Sequence, residues 1–141
     1  MNVTRLKKGC LLIAAVLMVY AFLPAACAAA ESGEIPVTEQ TFPDPAFRGW
    51  VLDEKNLDGA GSDGILTEEE IAGITEISFS ADSNARAGSL AGIEYFTSLK
   101  NLSVSGHRLD ELDLSENEEL EFVFCKSNDL RVLNVTNSPD L

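Results

Sequence analysis

The chain has 141 residues, a formal net charge of −13 and three cysteines. A chain this acidic is repelled by nucleic acid and by anionic membrane surfaces, which excludes nucleic acid as an expected partner. Its length fits a single domain, and three cysteines are too few for a disulfide framework.

The start of the chain has the layout of a bacterial secretory signal. Three basic residues open it, an apolar run follows over 10–23, and an A-x-A site precedes Glu31. The apolar run is shorter than the roughly 20 residues that a membrane-spanning helix needs. This layout predicts that residues 1–30 are a signal peptide and that the mature chain is secreted or held at the cell surface, without a transmembrane helix.

Cys27 gives the same segment a second interpretation. Residues 23–27 end in this cysteine and are similar to a lipobox, in which the cysteine becomes the lipidated first residue of the mature chain. Pro24 stands where a bulky aliphatic residue is usual, and this favours simple secretion. A lipid anchor at Cys27 is the alternative.

Residues 31–41 are polar, contain one proline and are expected to form a flexible linker. Two short helices should follow this linker. Asp44 can cap the first helix, in which Pro45 suits the first position. Thr67 and Glu70 have the spacing of a capping box at the start of the second helix.

The loop before the second helix carries part of an EF-hand pattern. Such a loop needs oxygen ligands at its odd positions, a glycine at the sixth and a glutamate at the twelfth. The half that begins at Asp63 fits, but glycines occupy the first and third positions, so Asp58 could serve only after a one-residue expansion. The candidate ligands for Ca²⁺ are Asp58, Asp63, Ile65, Thr67 and Glu70. The alternative is that Thr67 and Glu70 only cap the helix.

The last third of the chain repeats a leucine spacing at steps of 10, 11, 10 and 11. The leucines are Leu99, Leu109, Leu120, Leu130 and Leu141. Each of the first four opens the phrase L-x-x-[LV]-x-[LVC], whose last two apolar residues point to one side of a short strand. The full period of 21 residues lies in the range of solenoid repeats, and residues 74–98 carry one degenerate copy.

A polar residue follows each of the four strand-like phrases by three positions. These residues are His107, Asn117, Asn128 and Ser138. An amide at this position can bond the exposed backbone of a bend, and stacked coils can align such amides in a ladder, for which histidine and serine substitute in part. His107 is the only histidine, so a metal site with several histidine ligands is excluded. The acids over 110–121 are interpreted as a solvated face, and no enzyme is predicted.

These phrases resemble the leucine-rich repeats of internalin-like proteins, which are secreted and surface proteins of Gram-positive bacteria. The repeat phrases are L-K-N-L-S-V-S-G-H-R-L, L-D-E-L-D-L-S-E-N-E-E-L and L-E-F-V-F-C-K-S-N-D-L, preceded by F-P-D-P-A-F-R-G-W-V and D-G-I-L-T-E-E-E-I. The resemblance implies an α/β fold, with a right-handed leucine-rich repeat solenoid of short parallel strands over 74–141. It also implies an N-terminal helical cap with the EF-hand-like loop over 42–73. The last coil would be incomplete at Leu141.

Phe122 and Phe124 are the candidate partner-binding residues. They flank Val123, so both point outward if Val123 points inward. Exposed neighbouring aromatics are typical anchors for a partner, although they could instead pack against a further coil or a second copy. Together with the resemblance, this predicts a noncatalytic extracellular module that binds a protein or glycan. The alternative is a calcium-stabilised structural or spacer module of a larger cell-envelope protein.

Overall fold

The computed structural model describes residues 33–81 and 85–141. The predicted signal peptide and Cys27 lie outside the described residues. The helices are α1 (Pro45–Val51) and α2 (Glu68–Gly73), with short 3-10 turns at Leu57–Gly59 and Ile93–Tyr95. The strands are β1 (Ile35–Pro36), β2 (Ile65–Leu66), β3 (Glu76–Ser80), β4 (Asn101–Ser105), β5 (Glu111–Asp113), β6 (Phe122–Phe124) and β7 (Val132–Asn134). No helix in the described part of the chain has the length and apolar character needed to cross a membrane.

Helix α1 begins where its sequence predicts. Asp44 is the N-cap, and its Oδ1 accepts hydrogen bonds from the backbone N–H groups of Ala46 (2.8 Å) and Phe47 (3.1 Å). Pro45 takes the first helical position, where its missing N–H leaves no bond unmade. The helix buries Phe47 and Val51 completely. The predicted start of this helix is therefore confirmed.

Helix α2 begins with the predicted capping box. The Thr67 side chain accepts from the backbone N–H of Glu70, and the Glu70 carboxylate accepts from the backbone N–H of Thr67 at 2.8 Å. The two bonds satisfy donors that the first turn of a helix leaves free. Ile71 turns inward on this helix and joins the core.

The segment before α1 differs from the flexible linker that its composition predicts. β1 pairs antiparallel with β2, joining Ile35 to Leu66 and Pro36 to Ile65. The backbone N–H of Val37 extends this pairing by donating to Gly64 O at 2.8 Å. Val37 is buried, because it lies two residues after Ile35 and points to the same side of an extended chain. Residues 33–41 are thus part of the folded structure.

The leucine phrases form two parallel sheets. One sheet has the order β3-β4-β6, with Glu76 beside Asn101 and Asn101 beside Phe122. The other pairs β5 with β7 and sets Glu111 beside Val132. Phrases 21 residues apart therefore lie side by side, and each of the two regular coils supplies one strand to each sheet, whereas the degenerate copy supplies only β3. The degenerate copy pairs in the same way at a separation of 25 residues.

The first two phrases form the centre of the core. Their six apolar residues are Leu99, Leu102, Val104, Leu109, Leu112 and Leu114, all fully or almost fully buried. The later phrases are less covered: Val123, Cys125, Leu130 and Val135 are half-buried, and Leu133 is 46% exposed. The described residues contain no strand beyond β6 or β7, so nothing within them covers these side chains.

Aromatic side chains join the helical region to the first strand of the repeats. The ring centroids of Phe47 and Trp50 in α1 lie 5.6 and 5.4 Å from the ring centroid of Phe79 in β3. Phe42, just before α1, lies within 6.3 Å of the Phe96 ring. A Cβ at Gly92 would stand 2.3 Å from the Phe42 ring, and the φ of +107° at this position also favours glycine.

Candidate functional site

Phe122 and Phe124 lie at the surface, as their positions around Val123 predict. Phe122 is 54% exposed and Phe124 is 43% exposed, whereas Val123 between them is half-buried. Alternate residues of a strand point to opposite faces of the sheet. The two rings therefore stand side by side on the outer face of β6.

The rest of this outer face carries polar side chains and the carboxylate of Glu76, which lies beside Asn101. Asn101 of β4 lies beside Phe122, and Ser103 of β4 lies beside Phe124. Ser78 of β3 lies on the other side of Ser103. The Lys100 ammonium and Glu121 carboxylate form an exposed ion pair at 3.3 Å, next to the start of β4 and β6. The two phenylalanine rings thus form an apolar ridge at one side of a low, polar face, and we call this arrangement the Phe ridge.

A ladder of side-chain amides stabilises the bends of the coils. Asn117 Nδ2 donates to the carbonyl oxygens of Ile93 and Phe96, each at 2.9 Å. Asn128 Nδ2 donates to Val104 O at 2.8 Å, one coil away, and to Cys125 O at 3.0 Å. The predicted bonding of the bend backbone by a side-chain amide is confirmed for both asparagines, and its role is structural.

His107 and Ser138 occupy the other two ladder positions. The backbone N–H of Ala87 donates to His107 Nδ1 at 3.1 Å, so the ring proton resides on Nε2, which donates to Phe79 O at 2.9 Å. The Ser138 hydroxyl donates to Asn117 O at 3.2 Å. Both nitrogens of His107 are engaged in the fold, and the residue is only 2% exposed. Its interpretation as a ladder substitute is confirmed.

The candidate calcium ligands make local hydrogen bonds. Asp63 Oδ1 accepts from the backbone N–H of Ile65 at 3.0 Å, and Glu70 Oε2 accepts from the Thr67 hydroxyl at 2.9 Å. Asp58 is exposed and has a φ of +54°. The interpretation in which Thr67 and Glu70 cap a helix accounts for their contacts.

A cleft of about 430 Å³ brings together part of this ligand set. Asp58 and Glu70 both line it, with Glu69 and Glu76. Asp63, Ile65 and Thr67 do not line this cleft. Within the described residues, no group of three or more His, Cys, Asp or Glu side chains is placed to hold a metal ion. Calcium binding stays a prediction.

A larger groove of about 480 Å³ runs beside β5. One wall is β5 with its flanking residues, and the other is the segment 88–94 of the preceding coil. Five carboxylates line it, and the lining contains no lysine or arginine. They belong to Glu94, Asp110, Glu111, Asp113 and Glu116. The sequence shows the acids over 110–121 but not the groove, because the opposite wall lies about 20 residues upstream in a segment without a repeat phrase. We call it the β5 groove.

Hydrogen bonds hold Asp113 in its ionised form. The backbone N–H of Ser115 lowers the pKa of the Asp113 carboxyl most, followed by the Ser115 hydroxyl. Loss of solvent contact raises this pKa, and the Asn134 amide contributes a further lowering. Asp113 Oδ1 lies 3.0 Å from both the Ser115 nitrogen and Asn134 Nδ2. The groove therefore keeps a negative charge at this position.

The parallel pairing of leucine phrases, with a polar ladder at the bends, defines a leucine-rich-repeat α/β fold. No protein-family model and no curated protein matches the sequence. Among solved structures, the chain is similar to an internalin (InlF) from Listeria monocytogenes str. 4b F2365, with 25% identity and a TM-score of 0.55. It is also similar to an internalin C2 (InlC2) from the same strain, with 19% identity and a TM-score of 0.54.

These matches cover most of this chain but a smaller share of each internalin. The first covers 70% of this chain and 31% of the internalin, and the second covers 76% and 50%. The chain thus spans half or less of the length of either protein. The likeness supports an internalin-like leucine-rich-repeat fold.

Proposed function

We propose that the chain is a noncatalytic extracellular module that binds a protein or glycan through the outer face of the β3-β4-β6 sheet. The exposure of Phe122 and Phe124 on neighbouring outward positions of β6 carries this proposal. The similarity in fold to two internalins agrees with a binding role but names no partner. We also propose that the repeats wind as a right-handed solenoid, with residues 42–73 as its helical cap.

The energetics of the Phe ridge favour a contact surface. Removing a phenylalanine side chain from water is worth about 1.5 to 3 kcal/mol, and two such rings stand side by side here. Aromatic anchors of this kind dominate the free energy of many protein interfaces. The adjacent Asn101 and Ser103 supply hydrogen-bonding groups at the same level of the sheet, so a partner could bury the rings and still satisfy its polar groups.

The extracellular part of the proposal is supported by the layout of residues 1–30, which is that of a secretory signal. We expect the mature chain in the culture medium. Cellular fractionation of the natural protein and of a Cys27→Ser variant tests the lipid-anchored alternative. A shift of the chain from the membrane fraction to the medium in the variant would establish that anchor, and an unchanged distribution would exclude it.

The binding role is tested with an array of extracellular proteins and glycans, probed with the natural chain and with the double variant Phe122→Ser, Phe124→Ser. We expect the double variant to bind at least about tenfold more weakly to any array member that the natural chain binds. Val132→Ser is the matched control, because Val132 is 50% exposed on β7 of the other sheet. Equal binding by natural chain and double variant would contradict the proposal.

Stability measurements separate this role from a structural one. If the rings contact a partner, the double variant melts within a few degrees of the natural chain. A large drop in melting temperature would instead show that Phe122 and Phe124 stabilise the fold or an assembly of copies. Sedimentation of both proteins identifies the second case, because an assembly built on the rings would dissociate in the variant.

A second candidate function is a calcium-stabilised structural module. It is favoured by the position of Asp58 and Glu70 on the same cleft. Under this function, millimolar Ca²⁺ raises the melting temperature of the natural chain, and Glu70→Gln abolishes the rise. Glutamine preserves the capping geometry at Thr67, so the variant removes the charge without removing the cap. A melting temperature independent of Ca²⁺ would exclude this function and leave the binding role intact.

A further inference from the structure

In the part of the chain that the structure describes, the strand β5 has one edge that no other strand covers. On one side, β5 forms backbone hydrogen bonds with β7. Val132 N of β7 donates to Asp110 O, and Leu114 N donates to Asn134 O of β7. Successive residues of a strand direct their N–H and C=O groups to alternate sides. The backbone groups of Glu111 and Asp113 therefore point away from β7. Within the described residues, these groups have no backbone partner.

The uncovered edge faces the β5 groove for a structural reason. Arg108 N donates to Ala87 O at 2.9 Å, so the two chains run close together just before β5. The preceding coil then leaves this path, because residues 90–96 bend into a 3-10 turn whose Ile93 carbonyl accepts from Asn117. The turn cannot supply an extended neighbour to β5. The space that results is the β5 groove of about 480 Å³.

The charge of the groove decides which kind of strand can enter it. Its five lining carboxylates face no lysine or arginine of the lining. The chain as a whole carries a formal net charge of −13, so another copy would meet strong repulsion at this edge. An extended segment with lysine or arginine side chains meets complementary charge at the same place. Apolar side chains of such a segment can contact Leu90, Ile93 and Leu112, which also line the groove.

We propose that the β5 groove binds an extended basic peptide segment of a partner protein, which adds a strand to the free edge of β5. Two backbone N–H groups and two backbone C=O groups, those of Glu111 and Asp113, would pair with the peptide. The lysine or arginine side chains would face Glu94, Asp110 and Glu116. This site is separate from the Phe ridge and does not depend on the function proposed for it.

The test uses fluorescence anisotropy of the full chain with a labelled peptide of about six residues that alternates lysine and valine. We expect binding at low salt that weakens as salt screens the charges. A peptide with glutamate in place of lysine should bind at least about tenfold more weakly. A lysine peptide methylated on alternate backbone nitrogens cannot pair with the strand edge, and we expect about a tenfold loss for it as well.

Protein variants locate the site without disturbing the core. Glu111→Gln with Glu116→Gln removes two charges of the lining and should weaken binding about fivefold. Glu118→Gln with Glu119→Gln is the matched control, because it removes two exposed charges that do not line the groove. Phe122→Ser with Phe124→Ser should leave peptide binding unchanged.

Four results would overturn the proposal. Equal binding of the methylated and unmodified peptides would show that no strand pairing occurs. Equal losses in the two glutamine variants would show attraction to the overall charge instead of the groove. Absence of binding by the lysine peptide at low salt would exclude the site altogether. Loss of peptide binding in the serine double variant would assign the peptide to the Phe ridge.

Discussion

Asn117 has no exposed surface, and its amide group bonds two backbone carbonyls of the preceding coil. These carbonyls, of Ile93 and Phe96, belong to a 3-10 turn and to the residue that ends it, and the turn does not pair with any strand. Each carbonyl also accepts one backbone N–H, that of Phe96 for Ile93 O and that of Leu99 for Phe96 O, so Asn117 supplies a second donor to each. One buried side chain therefore joins the irregular bend to the following coil.

We predict that Asn117→Ala lowers the free energy of unfolding by about 2 kcal/mol, because it removes the two buried hydrogen bonds that the Asn117 amide donates to the carbonyls of Ile93 and Phe96. Asn137→Ala is the control. Asn137 also donates to a carbonyl, that of Ser115 at 3.0 Å, but at an exposed position where water can replace it. Its loss should cost less than about 1 kcal/mol. Urea unfolding of the two variants measures the difference, and equal losses would contradict this role of Asn117.

Asp113 gives the chain a predictable response to acid. The pKa of its carboxyl is held below the ordinary value of 3.8 in the folded protein, mainly by the Ser115 backbone N–H. A lowered folded pKa contributes stability that is fully present above the unfolded pKa and is lost as the pH falls through the folded value. We expect the natural chain to be more stable than Asp113→Asn near pH 6. The gap should narrow below about pH 4, as thermal melts across this range will show.

At the scale of elements, Asp44 links α1 to the repeats with a single carboxylate. One oxygen caps the helix, while Oδ2 accepts from the backbone N–H groups of Gly88 at 2.8 Å and Ser89 at 3.3 Å. The helix start is therefore attached to the loop that forms one wall of the β5 groove. The Asp44 side chain thus both caps α1 and connects it to a distant loop.

We predict that Asp44→Ala costs about 2 to 3 kcal/mol of stability, because it removes the cap and the charged bonds to the loop together. Thr67→Ala is the control, since it removes only the cap of α2 and should cost about 1 kcal/mol. Chemical denaturation of both variants tests the comparison. If Asp44→Ala costs no more than Thr67→Ala, the bonds to Gly88 and Ser89 contribute nothing measurable.

The sequence predicts well those elements that depend on residues close together in the chain or on the regular repeat. The caps at Asp44 and Thr67 depend on residues within three positions, and the paired strands depend on a repeat whose apolar residues recur at fixed spacing. The pairing of β1 with β2 cannot be predicted from the sequence, because it joins two segments that lie about 30 residues apart and share no repeat phrase. A polar, proline-containing segment gives little indication of such a partner.

The candidate sites follow the same division. The outward direction of Phe122 and Phe124 follows from strand alternation and could be predicted. The β5 groove could not, because it exists where the preceding coil fails to form a strand, and a missing strand leaves no positive pattern in the sequence. The hydrogen bond from the Ala87 N–H to His107 Nδ1 likewise joins residues 20 positions apart, one of them in a segment without a repeat phrase, so it could not be predicted.

At the scale of the whole molecule, one apolar core runs from the helical region through the repeats. The Trp50 ring of α1 lies against the Phe79 ring of β3 at 5.4 Å, at the junction of the two regions. Trp50 is also the only tryptophan of the chain. Its fluorescence therefore reports on the junction alone.

We predict that the chain unfolds in one cooperative transition. The midpoint in urea measured by Trp50 fluorescence should equal the midpoint measured by far-UV circular dichroism, because the helical region and the repeats share their core. Separate midpoints, with fluorescence changing first, would show that the helical region opens before the repeats.

The regular part of the ladder also bears on how such a chain can change in evolution. Asn128 bonds both its own coil and the one before, and the strands of the two regular coils pair at a separation of 21 residues. A gene duplication of 63 nucleotides, which encodes those 21 residues, would insert a coil with every inward side chain and every ladder amide in register. An insertion of a single residue within a strand would turn the leucines that follow it outward. Array length can therefore drift between lineages in whole coils while the packing of each coil is inherited intact.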